Sequence, residues 1–266
     1  MENPNFPGTF GELTSKAMSD KMKAVRVLSE KEFERLLDHL AQETHQASDH
    51  WHQFKGLQAA RKKYAREMHE SLAFWNFTIL ANYDTVLFRL ARLYDQHDCG
   101  LGLKRFLLTV KASAEFFSQD ARRLRLRKNP FIEGLLARKL NPATLGGDLR
   151  RVSEDDALVF QLCKLRNQAL SHVEPNPVRL GTTPTLPWLE SPQIETLLRR
   201  ARQIINRYSS IYRASSFSMK VLGADDYMTV LSLVRKGRNT VIAERKLEIQ
   251  HITRQGRRTP RPKPHR

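Results

Sequence analysis

The sequence predicts an all-α protein, an antiparallel bundle of helices, and three observations carry that prediction. Apolar residues recur every three or four positions over long stretches, the spacing of helices that bury one face. Glycine and proline number only twelve each, which leaves long segments uninterrupted. No strand-like run exceeds residues 240–243, so no sheet is expected. Short connections between long helices favour an antiparallel arrangement.

Residues 1–28 are mixed in character and are expected to be loosely ordered. Ser29 followed by Glu32 has the form of a capping box. The helix it opens carries Phe33, Leu36, Leu37 and Leu40, and Gly56 is expected to end or kink it. A long helix is predicted from Leu57 to Tyr94, with Tyr64, Met68, Leu72, Trp75, Ile79, Val86, Leu90 and Leu93 as its buried stripe. Gly100 and Gly102 interrupt the pattern before a helix from Leu101 to Ala112. Asn129-Pro130 is expected to start another, and Gly146 and Gly147 mark a loop. Ser153 opens the next helix, with Glu154, Asp155 and Asp156 in its first turn, where carboxylates favour the positive end of the helix dipole. Leu158, Leu162, Leu165 and Ala169 form its apolar stripe, and it is expected to end near Ser171 or His172. A proline-rich loop follows, then a helix from Ser191-Pro192 with Ile194, Leu197, Leu198, Ala201, Ile204, Ile205, Tyr208, Ile211 and Tyr212 on one face. A short last helix is predicted from Asp225 to Lys236, stopped by Gly237.

These elements divide the 266 residues into a loose N-terminus (1–28), an accessory N-terminal helix (29–56), a main helical domain (57–237) and a basic tail (238–266). The tail beyond Thr253 has six Lys/Arg, no acids and three prolines, so it has nothing to bury and is expected to be disordered. Two cysteines, Cys99 and Cys163, make no disulfide framework. The N-terminus lacks a secretory pattern, and the apolar stretch Ser71–Phe88 is broken by Asn76, Asn82 and Asp84, which suits a buried helix and not a membrane span. A cytoplasmic protein without membrane contact is the expectation.

The net charge is +17, and most of it is concentrated in two places. Residues 121–139 carry +6 and residues 235–266 carry +9. Concentrated positive charge attracts polyanions through long-range fields and counterion release. RNA is therefore the expected partner, through Arg122, Arg123, Arg125, Arg127 and Lys128 in the first region and Arg254, Arg257, Arg258 and Arg261 in the second.

The run Leu162–His172, LCKLRNQALSH, carries the candidate chemistry. Arg166 is followed directly by Asn167 and, six positions on, by His172 where the helix unwinds. Six helical residues rise about 9 Å, so the two side chains meet only if the helix end bends or if a second copy of the motif lies across from it. Imidazole titrates near neutrality and can move a proton to or from a ribose hydroxyl. Guanidinium stays charged and can hold a phosphate through two parallel hydrogen bonds. Asn167 can bind the phosphate or orient His172. Arg166, Asn167 and His172 are thus the candidate catalytic set, and none of their roles calls for a metal or cofactor. Read from the residues alone, a histidine closing a helix C-terminus remains the structural alternative.

This run resembles the Arg-x(4–6)-His motif of HEPN domains. The chain is similar, more closely, to HEPN proteins of the abortive-infection (AbiU2-like) type, over roughly Tyr64–Lys236. The likeness lies in FRLARLYDQHDCGLGLKRFL (88–107), KLRNQALSH (164–172), and INRYSSIYRASSFS (205–218) followed by DDYMTVL (225–231). It implies a HEPN-like helical bundle that forms a homodimer with two Arg/His pairs in a shared cleft. It also implies a metal-independent endoribonuclease of phage defence or a toxin–antitoxin system, with an antitoxin or other defence protein as partner. Some family toxins carry a modifiable tyrosine two residues after the histidine; Glu174 stands there, so that control is not expected. Relatives without turnover, which bind RNA or a protein, supply the alternative reading.

Two other clusters look chemical. His39, His45, His50 and His52 with Asp38 and Asp49 suit a solvated helix face better than a metal site, since no closed ligand set appears at known spacing. Tyr94–Cys99 reads as a helix end whose polar side chains cap free carbonyls, with a supporting role beside the catalytic groove as the alternative.

Overall fold

The computed structural model describes residues 22–167, 189–218, 223 and 225–256. Most of the described residues are helical, with no strand among them. The helices are α1 (Glu30–Lys63), α2 (Ala65–His69), α3 (Leu72–Leu93), α4 (Leu103–Ala112), α5 (Gln119–Arg125), α6 (Ile132–Leu136), α7 (Pro142–Arg151), α8 (Ala157–Leu165), α9 (Ser191–Arg213) and α10 (Tyr227–Gly256), with a 3-10 turn at Ala114–Phe117. Among the described residues no helix is long and apolar enough to cross a membrane.

The chain forms two compact units, residues 1–50 with 84–220 and residues 51–83 with 221–266. In the first, Phe33 of α1 anchors an aromatic core. Its ring centroid lies 5.6 Å from Phe106, 5.5 Å from Phe117 and 4.9 Å from Tyr212, distances at which edge and tilted ring contacts add to the burial. Leu37, Leu90, Leu103, Val159, Leu162, Leu197 and Ile204 extend this core with almost no exposure. The predicted stripes of α8 and α9 are therefore the buried faces, apart from the half-exposed Leu158 and Ala169, which lies outside the described residues. In the second unit, Leu57, Ala60, Tyr64, Met68, Trp75, Ile79 and Leu231 pack together.

Several boundaries differ from the sequence prediction, and glycine accounts for most of the differences. α1 runs through Gly56 to Lys63. A Cβ at Gly56 would collide with the Tyr227 hydroxyl, so the glycine is a packing notch inside a helix and not a stop. The predicted 57–94 helix is instead the end of α1, then α2, then α3. Gly146 and Gly147 lie inside α7, which Asn141 caps by accepting from the Ala143 and Thr144 amides. α10 passes through Gly237 and includes residues 240–243; a glycine costs a helix about 1 kcal/mol against alanine, less than continued hydrogen bonding returns. α8 starts at Ala157 and not at Ser153. Val152 terminates α7, and Asp156 caps α8 by accepting from the Leu158 and Val159 amides. Asn129 forms a turn onto the Phe131 amide at 2.9 Å, ahead of the short α6. For α9 the N-cap is Glu190, in a reciprocal box with Gln193, and Ser191 is already helical.

Candidate functional site

α8 delivers the motif. Its buried Val159, Leu162, Cys163 and Leu165 fix it in the first unit, and burial pushes the Cys163 thiol up to about 12. Arg166 and Asn167 continue α8 as π-helical residues, Arg166 with φ −54° and ψ −51°. Its guanidinium therefore projects from the end of a fixed element. Nη1 donates to Asp95 Oδ1 at 2.5 Å and Nε donates to Asn167 Oδ1 at 3.0 Å. Arg166 and Asn167 are thus brought together. His172 lies outside the described residues.

Asp95 belongs to the loop after α3, and that loop is wired on all sides. Oδ1 of Asp95 also accepts from the His97 amide at 3.0 Å. The buried Tyr94 hydroxyl donates to the Leu197 carbonyl of α9 at 2.8 Å; burial raises its pKa well above the usual tyrosine value. Gln96 Nε2 donates to the Tyr94 and Val152 carbonyls, both at 2.8 Å. A Cβ at Gly100 would strike the Asp95 carboxylate, and one at Gly102 would lie 2.9 Å from the Asp95 carbonyl oxygen. The two glycines allow the loop to fold tightly around Asp95. The pair is half-buried, with side chains 17% exposed at Arg166 and 22% at Asp95, where charge-assisted bonds are stronger than in open water.

Asp95 also lines a small cavity of about 230 Å³ shared with His39, Glu43, Arg92 and Gly100. Glu43 there takes Arg89 at 3.2 Å and Arg92 at 3.5 Å. Elsewhere in the histidine cluster, His45 pairs with Asp49 one turn on, at 3.5 Å, and His52 is exposed.

The basic residues expected to meet RNA separate into two groups. Arg123, Arg127 and Lys128 are exposed; Arg123 pairs with Glu133 at 3.5 Å. Arg254 is exposed on α10, while Arg257, Arg258 and Arg261 lie outside the described residues. Arg122 and Arg125 are corrected: both point inward. Arg122 is 1% exposed and donates to the Leu135 and Leu136 carbonyls. Arg125 binds both carboxylate oxygens of Glu30 and the carbonyls of Tyr212 and Phe116, with its guanidinium 3.7 Å from the Tyr212 ring centre. The donors of Arg125 and the terminal nitrogens of Arg122 serve the fold.

The residue that spacing did not reveal is Asp95, 71 positions before its arginine. The available signal was an acid directly after the last apolar turn of α3, followed by two closely spaced glycines. A family model described as AbiU2, of HEPN type, matches residues 30–232. The chain belongs to the HEPN AbiU2 family. Its motif segments, the Tyr94–Gly102 loop with Asp95 and α8 with Arg166, both fall within the matched region. No curated protein and no solved structure matches the chain.

Proposed function

We propose that this HEPN AbiU2 chain is a metal-independent endoribonuclease, acting in the cytoplasm in phage defence or a toxin–antitoxin system, with Arg166, Asn167 and His172 as its catalytic set. The observation that carries this reading is the anchoring of Arg166 by Asp95 beside Asn167 at the end of α8. A flexible arginine held in place before substrate arrives loses less entropy on meeting a phosphate, and preorganised charge stabilises a transition state most effectively. In the step envisaged, the ribose 2′-oxygen bonds to phosphorus as the bond to the 5′-oxygen breaks. One proton leaves the 2′-hydroxyl and one reaches the departing 5′-oxygen, with His172 as the exchanging group. Arg166 offsets charge on the phosphoryl oxygens, and Asp95 is its positioning residue. A homodimer with the two motifs facing one another supplies the shared cleft.

A second reading has its own support. An arginine paired with a carboxylate is also a structural device, and a module that binds RNA or a protein partner without turnover would keep it. Incubating purified protein with RNA in EDTA separates the two. Cleavage to 2′,3′-cyclic phosphate and 5′-hydroxyl ends, reduced at least about a hundredfold by Arg166→Ala and by His172→Ala, is the expected result. Wild-type rates in both variants, or strict magnesium dependence, would refute it.

A further inference from the structure

On the first unit, away from the motif, α4, the 3-10 turn, α5, α6 and α7 enclose a cavity of about 600 Å³. That is the size of a small-molecule site. Phe117, Leu136 and Leu145 are among its apolar walls, and Phe117 is 5% exposed. Its charged lining is entirely cationic: Lys111, Lys139 and Arg122, with no Asp or Glu. Among the described residues neither lysine is ion-paired.

Arg122 makes this cavity unusual. The guanidinium is 1% exposed, its terminal nitrogens donate only to carbonyls, and its Nε has no partner. A buried charge normally requires a counter-charge. Arg125, three residues on, has Glu30; among the described residues no carboxylate pairs with Arg122. Burial first, then the neighbouring Arg125 and Arg138, lowers its pKa.

We propose that this cavity binds a small organic anion with an apolar body, its carboxylate or phosphate head directed to Arg122, Lys111 and Lys139. An RNA strand fits the observations less well. Its hydrated backbone suits exposed arginines such as Arg123 and Arg127, whereas these walls are mostly apolar and concave. The site is distinct from Arg166 and does not depend on the ribonuclease reading.

Titration calorimetry of the full chain tests this, with decanoate and decyl phosphate as the two anionic probes and decanol and decylammonium as controls. One anion per chain should bind, with decanol weaker by about tenfold or more, the ratio expected for losing charge-assisted hydrogen bonds. Lys139→Glu, at an exposed position, should weaken the anion without altering the fold. Leu145→Trp should fill the cavity and abolish binding, with helix content and melting checked by circular dichroism. Decanol binding as tightly as decanoate, undiminished affinity in Lys139→Glu, or displacement of decanoate by a short RNA oligonucleotide would each overturn the proposal. RNA cleavage in EDTA should be the same in Leu145→Trp, which carries no charge change, and wild type, which keeps failure here separate from failure of the ribonuclease assignment.

Discussion

Replacing Asp95 with alanine removes two hydrogen bonds accepted by one oxygen, from Arg166 Nη1 and from the His97 amide. The ion pair is neither open nor fully enclosed, at 17% and 22% side-chain exposure. Exposed pairs contribute about 0.2–1 kcal/mol, and breaking a buried one costs about 3–5 kcal/mol. An intermediate coupling of about 1–2 kcal/mol follows. The lost bond from His97 adds about 1 kcal/mol. Asp95→Ala should then cost about 2–3 kcal/mol, a fall of roughly 5–10 °C in melting temperature for a chain of this size. Asp95→Ala, Arg166→Ala and the double variant, each unfolded in urea, form a thermodynamic cycle. A coupling under about 0.3 kcal/mol, the scatter of independent sites, would refute the claim that Asp95 holds Arg166. The same variant assayed for RNA cleavage at saturating substrate should be slower than wild type by about tenfold, a smaller loss than with Arg166→Ala, since the charge remains but its position does not.

Three further outcomes are expected. Arg125→Ala strands Glu30 and two carbonyls and should lower stability by about 2–4 kcal/mol, while Arg123→Ala at the surface stays within about 0.5 kcal/mol; equal urea midpoints would contradict the inward placement of Arg125. In the second unit, the Arg235 side chain bonded to Glu67 at 2.9 Å holds that carboxyl below its ordinary value of 4.5. A depressed carboxylate adds stability that is fully present above pH 4.5 and fades as pH drops through the folded-state value, so Glu67→Gln should flatten the acid limb of the melting curve; an unchanged limb would count against the pairing. Deleting residues 253–266, with six Lys/Arg, should weaken RNA binding and reduce its salt dependence, whereas superimposable salt series would show that the tail touches no RNA.

The sequence made the helix faces readable because burial repeats with the helical period. α9, where Ile194, Leu197, Ala201, Ile204, Tyr208 and Tyr212 are all buried, was predicted with its stripe intact. Glycines were the weak point, since a residue cost near 1 kcal/mol is decided by surroundings. Tyr227 occupies the space at Gly56, and no local pattern announces that. The charge run was legible as charge but not as direction. Arg122 and Leu126, four apart, share the buried face of α5 and its continuation, while Arg123 and Arg127, also four apart, face out; helical periodicity contained that division. At the candidate site, Arg166 and Asn167 stood out through spacing to a histidine. Asp95 stood out only as part of the Tyr94–Cys99 block, read first as a helix end, because its partner is set by how α3 and α8 pack and not by any interval along the chain.

α10 has one more property that follows from its length. Leu231 is its fully buried residue, and every described side chain from Asn239 to Arg254 is exposed. At 1.5 Å per residue, Leu231 and Gly256 are about 37 Å apart along the axis. A helical stretch with no buried side chain among its described residues is only marginally stable, so its amides should exchange with solvent deuterium long before those of α8 or α9, in a local opening that leaves both cores closed. Leu247, Ile249 and Ile252 ride on that stretch at about 60% exposure or more, so apolar side chains and the backbone most ready to open are carried on the same segment.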